Sequence, residues 1–162
     1  MHIRDILDPK RIVLNLTAGD KREILGQLSA PVAETHSHLD ADKLLDVLVE
    51  REETSTTAIA DGIAIPHGKM AIGEEVICAF GRSREGLEFD SVDGNPTQLF
   101  FLLISPESSP SVHLRWLAHL AVLLKNPEFR RALLEAESAE EVLEIVEAEE
   151  KARTKDASTE HR

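Results

Sequence analysis

The chain has no tyrosine, one tryptophan, two methionines and a single cysteine, Cys78, among its 162 residues. One thiol forms no intrachain disulfide and cannot build a zinc site from spaced cysteines. Set in the apolar run 76–80, Cys78 reads as a small buried hydrophobe rather than a reactive thiol. No apolar run approaches the roughly 20 residues needed to span a bilayer, which argues against membrane insertion. The start, Met1-His2-Ile3-Arg4-Asp5, carries charge at once and lacks the apolar core and small-residue cleavage site of a secretory signal. These absences together point to the cytoplasm. Positive charge is also scarce: 18 Lys and Arg face 30 Asp and Glu, for a formal net charge of −12. A nucleic-acid binder needs a basic stripe, and no cluster of Lys and Arg supplies one. The excess acid gathers between Glu135 and Glu150, which holds no Lys or Arg and reads as the solvated face of a last helix.

Several chemistries are missing as well. There is no Gly-rich nucleotide loop of the P-loop or Rossmann type, no carboxylate cluster suited to Mg²⁺, and no Gly-x-Ser-x-Gly elbow. No cofactor is implied. His36 and His38 form a His-x-His pair in the polar link 34–39, but no further ligand completes a metal site, so they read as loop histidines.

What is present is an alternation of short elements in a length that fits one domain. Ile3, Ile6 and Leu7 predict a helical turn. Asp8-Pro9 marks a break, and a strand is expected at about 11–16. Thr17-Ala18-Gly19-Asp20 resembles a capping box for a helix to about residue 33. Ile24, Leu25, Leu28 and Val32 share one face of it, and Pro31 is expected to end or kink it. Asp40 caps a second helix to about Glu53. Further strands are expected at 75–82 and 96–105. The second contains Leu99-Phe100-Phe101-Leu102-Leu103-Ile104, an unbroken apolar run that predicts a strand covered on both faces by helices. Asp93-Gly94 is a turn signal. Ser109-Pro110 and Asn126-Pro127 each read as a helix cap followed by proline at the first helical position. Ser138 to Glu141 caps the last helix. From about Glu149 the apolar pattern fails. The expected organisation is a domain at 1–148 and a polar, disordered tail at 149–162.

The candidate chemistry centres on residues 54–69: a hydroxyl-rich loop, a glycine turn, a short apolar strand, and His67 between Pro66 and Gly68. Proline fixes its own φ and glycine relaxes the backbone, so His67 is expected at a strand end with its imidazole turned away from the sheet. A neutral imidazole is a good nucleophile near pH 7. Arg51 falls in the last turn of the preceding helix. There it either complements the helix dipole or grips an anion near His67. His113 opens the stripe His113, Leu117, Leu120, Leu124 at the N-terminal end of a later helix. It is either a core histidine or a ligand of an anion at that helix end. His119 lies off that stripe and reads as structural or solvent-facing, and Trp116 as packing. Two histidines, an arginine and hydroxyls suit a metal-free phosphohistidine relay, or a general base in hydrolysis.

Arg51-Glu52-Glu53, then Ser55-Thr56, then Gly62-Ile63-Ala64-Ile65-Pro66-His67-Gly68 resembles the active-site signature of the fructose/mannitol-type enzyme IIA family of the bacterial phosphotransferase system. Leu87 to Pro96 before an apolar strand, and Val112-His113-Leu114 opening a helix, resemble later blocks of that family. The likeness covers about residues 1–148. It implies an α/β fold, an α/β/α sandwich with a central mixed sheet flanked by helices. It implies that His67 accepts a phosphoryl group through Nε2 from a phosphohistidine on an HPr-like carrier protein. His113 then stabilises that group, Arg51 stabilises the anion, and Thr56 is a hydrogen-bond partner. Within the family the wording at 62–69 is most similar to the nitrogen-regulatory (Ntr) type, a phosphorylated regulator rather than a sugar-transport component. The alternative is a sugar-specific IIA that passes phosphate to a IIB domain.

Overall fold

The apolar run at 99–104 forms the middle of β5 (Thr97–Pro106), and its side chains leave the strand alternately to opposite sides. Leu99, Phe101 and Leu103 enter one core cluster, whereas Phe100, Leu102 and Ile104 enter the other. The sheet therefore separates two cores, as a run with no polar alternation requires.

The computed structural model describes residues 1–17 and 19–160, with side chains through 155. A 3-10 turn (Ile3–Asp5) leads into β1 (Leu7–Val13), α1 (Lys21–Thr35) and α2 (Ala41–Thr54). Then follow β2 (Ile63–Ala64), β3 (His67–Met70), β4 (Ile77–Leu87) and β5, and finally α3 (Pro110–Leu123), α4 (Pro127–Glu135) and α5 (Ala139–Glu160). The sheet runs β1-β4-β5-β2, with β3 also paired to β5. β4 and β5 are antiparallel and every other pairing is parallel, so the sheet is mixed. Residues of α1 and α2 supply one core, with Ile24, Leu25, Leu28, Val32, Leu44 and Leu48. Residues of α3, α4 and α5 supply the other, with Trp116, Leu120, Phe129, Leu133, Val142 and Val146. The result is the expected α/β/α sandwich. Cys78 is wholly buried, and burial pushes its thiol up to about 12.

Several boundaries differ from the sequence reading. β1 starts at Leu7 and runs through Asp8-Pro9, with an irregular register between Leu7 and Ile12. It is an edge strand, where a residue without an N–H is tolerated. The α1 cap is Asp20, which accepts from the Glu23 amide, while Glu23 Oε2 reaches back to the Gly19 amide. The box thus sits three residues later than Thr17; Ala18 lies outside the described residues. Pro31 does not end α1, which continues to Thr35. The last helix runs on to Glu160 where a polar tail was expected; residues 161 and 162 lie outside the described residues. Its continuation is anchored at Glu150, buried in spite of its charge, whose Oε2 accepts from the Ile3 amide and pairs with His119 Nε2 at 2.6 Å. The acidic stretch is also not only solvated. Arg4 bridges Glu140 and Glu147, and Glu141 takes part in the α5 cap.

Candidate functional site

The expected single strand before His67 is broken in two. Pro66 has no N–H for the ladder, so β2 stops at Ala64 and β3 begins at His67, both beside β5. His67 therefore opens a strand instead of ending one. The break turns the imidazole back on its own chain, and Nδ1 lies 2.7 Å from the Ile65 carbonyl oxygen. A carbonyl only accepts, so Nδ1 carries the proton and donates it. In the neutral ring Nε2 is then bare.

Gly68 follows. A Cβ there would lie 2.8 Å from Val47 Cγ1, so glycine lets α2 pack directly on β3. That close approach carries the C-terminal turn of α2, with Arg51, to the edge of the sheet beside His67. From the other face α3 contributes His113 in its first turn. The two imidazoles stand 5.2 Å apart between centroids, with ring planes inclined by 54°. His67, His113 and Arg51 line one open cleft of about 560 Å³, together with Val47, Glu50, Thr54, Gly68, Lys69, Leu114 and Leu117.

The electrostatics favour an anion in this cleft. Burial lowers the pKa of His67; the Ile65 carbonyl opposes that effect, while Arg51 and Lys69 reinforce it. His113, nearly fully buried, falls to about 4, through burial first and then the charges of His67, Lys69 and Arg51. Both rings are therefore neutral at pH 7, and the fixed positive charges are Arg51 and Lys69. The N-terminal end of α3 adds the positive end of its dipole. The opposing C-terminal end of α2 is answered by Arg51 itself, whose Nη1 donates to the Ser55 carbonyl at 3.0 Å. The two readings of Arg51 are thus compatible: it caps its helix and lines the cleft.

Of the four residues singled out by sequence, the fold brings together His67, His113 and Arg51. Thr56 is placed elsewhere. Its hydroxyl donates to the Phe89 carbonyl and accepts from the Ala58 amide, and it lines a neighbouring hollow with Lys21, Glu52 and Asp90. There it secures the hydroxyl loop. Three participants escaped the sequence reading. Ser105 Oγ lies 2.7 Å from His113 Nδ1. Lys69 adds charge to the cleft. Glu52 is buried and accepts from the Thr57 amide, the Thr57 hydroxyl and Lys21 Nζ, which ties the loop after α2 to that helix. Strand alternation could have found Lys69, two residues beyond His67. No local pattern marks Ser105. His36 caps α1, with Nδ1 near the Val32 carbonyl, and no group of His, Cys, Asp or Glu suited to a metal ion exists among the described residues.

A sequence model of the family described as "Phosphoenolpyruvate-dependent sugar phosphotransferase system, EIIA 2" matches residues 5–149. A nitrogen regulatory protein of Bradyrhizobium diazoefficiens is 34% identical over 146 residues, covering 90% of this chain and 95% of that protein. The fructose-specific EIIABC component of Bacillus subtilis is 33% identical over 151 residues; the match spans 93% of this chain and 24% of that longer protein. The crystal structure of the nitrogen regulatory protein IIA-Ntr from Neisseria meningitidis superposes with a TM-score of 0.82 at 35% identity, over 89% of this chain and 98% of that one. The IIA mannitol structure from Escherichia coli shares the fold, with a TM-score of 0.71 at 19% identity over 86% of this chain and 97% of that one. Sequence and fold agree, and the chain belongs to the EIIA 2 family of the phosphoenolpyruvate-dependent sugar phosphotransferase system.

Proposed function

We propose that this chain is a phosphohistidine protein of the nitrogen-regulatory type, loaded at His67 and read by partner proteins through its phosphorylation state. The observation that carries the proposal is the Nδ1–H of His67 held on the Ile65 carbonyl, which leaves Nε2 bare in a cleft with two fixed cations. In the reaction, the Nε2 lone pair attacks the phosphorus of a phosphohistidine on an HPr-like carrier. The N–P bond to the carrier breaks as the N–P bond to His67 forms, and the electron pair returns to the carrier's imidazole. The phosphoryl group passes through a loose transition state with charge on its equatorial oxygens, so positioning and electrostatics do most of the work. Arg51 pairs those oxygens through its planar fork, Lys69 adds a point charge, and His113 donates a neutral hydrogen bond. Loss of one such donor typically slows transfer by about 10²–10³-fold. The working domain includes Glu150, whose buried carboxylate ties α5 to the chain start and to α3, and it acts in the cytoplasm.

The nitrogen-type reading rests on relatives named as nitrogen regulatory proteins that match along nearly their whole length. A sugar-specific role is the second reading, favoured by the 39% identity over 107 residues to the fructose-specific EIIA component of Haloferax volcanii. Incubation with enzyme I-type kinase, an HPr-like carrier and phosphoenolpyruvate is expected to give an acid-labile, base-stable phosphate that disappears in His67→Ala. An unlabelled wild type, or full labelling of His67→Ala, refutes the phosphoryl-acceptor role. To separate the two readings, a deletion strain with normal growth on fructose supports the regulator, and loss of phosphate-dependent fructose uptake supports the sugar component.

A further inference from the structure

Ser105 lies near the end of β5, opposite Lys69 of β3, and is fully buried. Its Oγ is 2.7 Å from Nδ1 of His113, itself 3% exposed. Two proton arrangements fit that distance. Either Nδ1–H donates to the hydroxyl, or the hydroxyl donates to a bare Nδ1. Under the first, the hydroxyl hydrogen is left without an acceptor in a site closed to water, because Oγ makes no other hydrogen bond among the described residues. Buried donors are satisfied in nearly all folded proteins, so that arrangement is strongly disfavoured. Under the second, every buried polar hydrogen of the pair is used, and the ring proton sits on Nε2, across the ring from Ser105. His113 lines the cleft beside His67, Arg51 and Lys69.

We propose that Ser105 is a positioning residue that locks His113 in its Nε2–H tautomer and so sets the division of labour between the two histidines. The lock rests on the hydrogen bond alone; its consequence for catalysis rests on the phosphoryl-acceptor reading of His67. The two rings then carry opposite tautomers. His67 is protonated on Nδ1 by the demand of a carbonyl and presents a lone pair. His113 is bare on Nδ1 by the demand of a hydroxyl and presents a donor. A donor at Nε2 stabilises a phosphoryl oxygen, and a nitrogen that carries a proton cannot take the phosphorus. The same lock therefore makes His113 a partner of the transferred group and bars it from becoming a second acceptor. The low pKa of His113 agrees with this role, because a neutral ring keeps the tautomer meaningful across the physiological range.

Long-range ¹H–¹⁵N NMR on the full chain reads both tautomers directly. The expected wild-type spectrum has a protonated Nε2 and a bare Nδ1 on His113. In Ser105→Ala the two His113 nitrogens are expected to shift toward the averaged values of mixed tautomers, and in Ser105→Thr to keep the wild-type pattern. The initial rate of His67 labelling is expected to fall about 10-fold in Ser105→Ala at saturating carrier, with the KM for carrier unchanged, and to recover in Ser105→Thr. A wild-type His113 protonated on Nδ1, or an Ser105→Ala spectrum identical to wild type, overturns the inference, and the first of these needs no variant. A wild type that shows the Nε2–H tautomer but takes no label refutes the phosphoryl-acceptor reading and leaves the lock standing.

Discussion

Replacing Gly68 by alanine perturbs the contact on which the site's assembly depends. The new Cβ would lie 2.8 Å from Val47 Cγ1, where ordinary contact begins at 3.4 Å, so about 0.6 Å must be found. Leu48 Cδ2 at 3.7 Å and Ile104 Cδ1 at 4.0 Å already sit at normal distance and close the other directions. Val47 is β-branched and has one favoured rotamer in a helix, so it cannot swing aside cheaply. The relief must come from α2 lifting off β3, and α2 carries Arg51. Overpacking of this size costs about 1–3 kcal/mol, and a displacement approaching 1 Å in a positioned group costs up to about 100-fold in rate. Gly68→Ala is therefore expected to lose about 1–2 kcal/mol in urea unfolding and about 10-fold or more in the initial rate of labelling from radioactive phosphoenolpyruvate. Adding Val47→Ala removes the clashing methyl, so the double variant is expected to recover most of both losses, a coupling visible in a double-mutant cycle. If Gly68→Ala matches wild type in both assays, or if the two substitutions simply add, the close approach is not what holds Arg51 in place.

Further outcomes follow from the same geometry. Arg51→Lys keeps the charge but loses the planar fork and the bond to the Ser55 carbonyl, so labelling is expected to slow about 10-fold, against about 100-fold or more for Arg51→Ala; initial-rate assays at saturating carrier check the order. The pKa of His113 falls from 6.5 to about 4 on folding, so between those values the unfolded chain binds more protons than the folded one. Stability is then complete above about pH 6.5 and declines as pH falls toward 4, by on the order of 3 kcal/mol, and urea titrations of wild type and His113→Gln should show a flatter acid limb in the variant. Asp20→Ala removes the acceptor of the Glu23 amide at the start of α1 and should cost about 1 kcal/mol in the same titration, with the labelling rate unchanged.

The sandwich and the candidate histidine were legible in the sequence because each leaves a local mark. Six consecutive apolar residues at 99–104 admit a strand covered on both sides, and Pro66-His67-Gly68 sets a titratable ring between a residue that stops the ladder and one that removes a side chain. His113 and Arg51 were legible as helix-end residues, but their convergence was not. It depends on α2 and α3 lying on opposite faces of the sheet and meeting at one edge, which no periodicity encodes. Ser105 was invisible for a different reason. A serine at the end of a strand looks the same whether it meets water or a buried imidazole eight residues on, across a loop. Thr56 shows the reverse: a hydroxyl close in sequence to the site is spent on the Phe89 carbonyl and the Ala58 amide. Pro9 and Pro31 misled the boundaries because proline forbids only one backbone hydrogen bond, which an edge strand or the final turns of a packed helix tolerate. The extension of α5 had no apolar signal because polar contacts hold it, Glu150 Oε2 with His119 Nε2 and the Ile3 amide.

The proposed function stands or falls on transfer of the phosphoryl group to Nε2 of His67. Phosphorylating the ¹⁵N-labelled chain through phosphoenolpyruvate, enzyme I-type kinase and an HPr-like carrier, then recording long-range ¹H–¹⁵N spectra, tests it most directly. The expected spectrum has a phosphorus-coupled nitrogen at Nε2 of His67, with Nδ1 still protonated on the Ile65 carbonyl. Phosphorus on Nδ1 of His67, on His113 or on any other residue would contradict it.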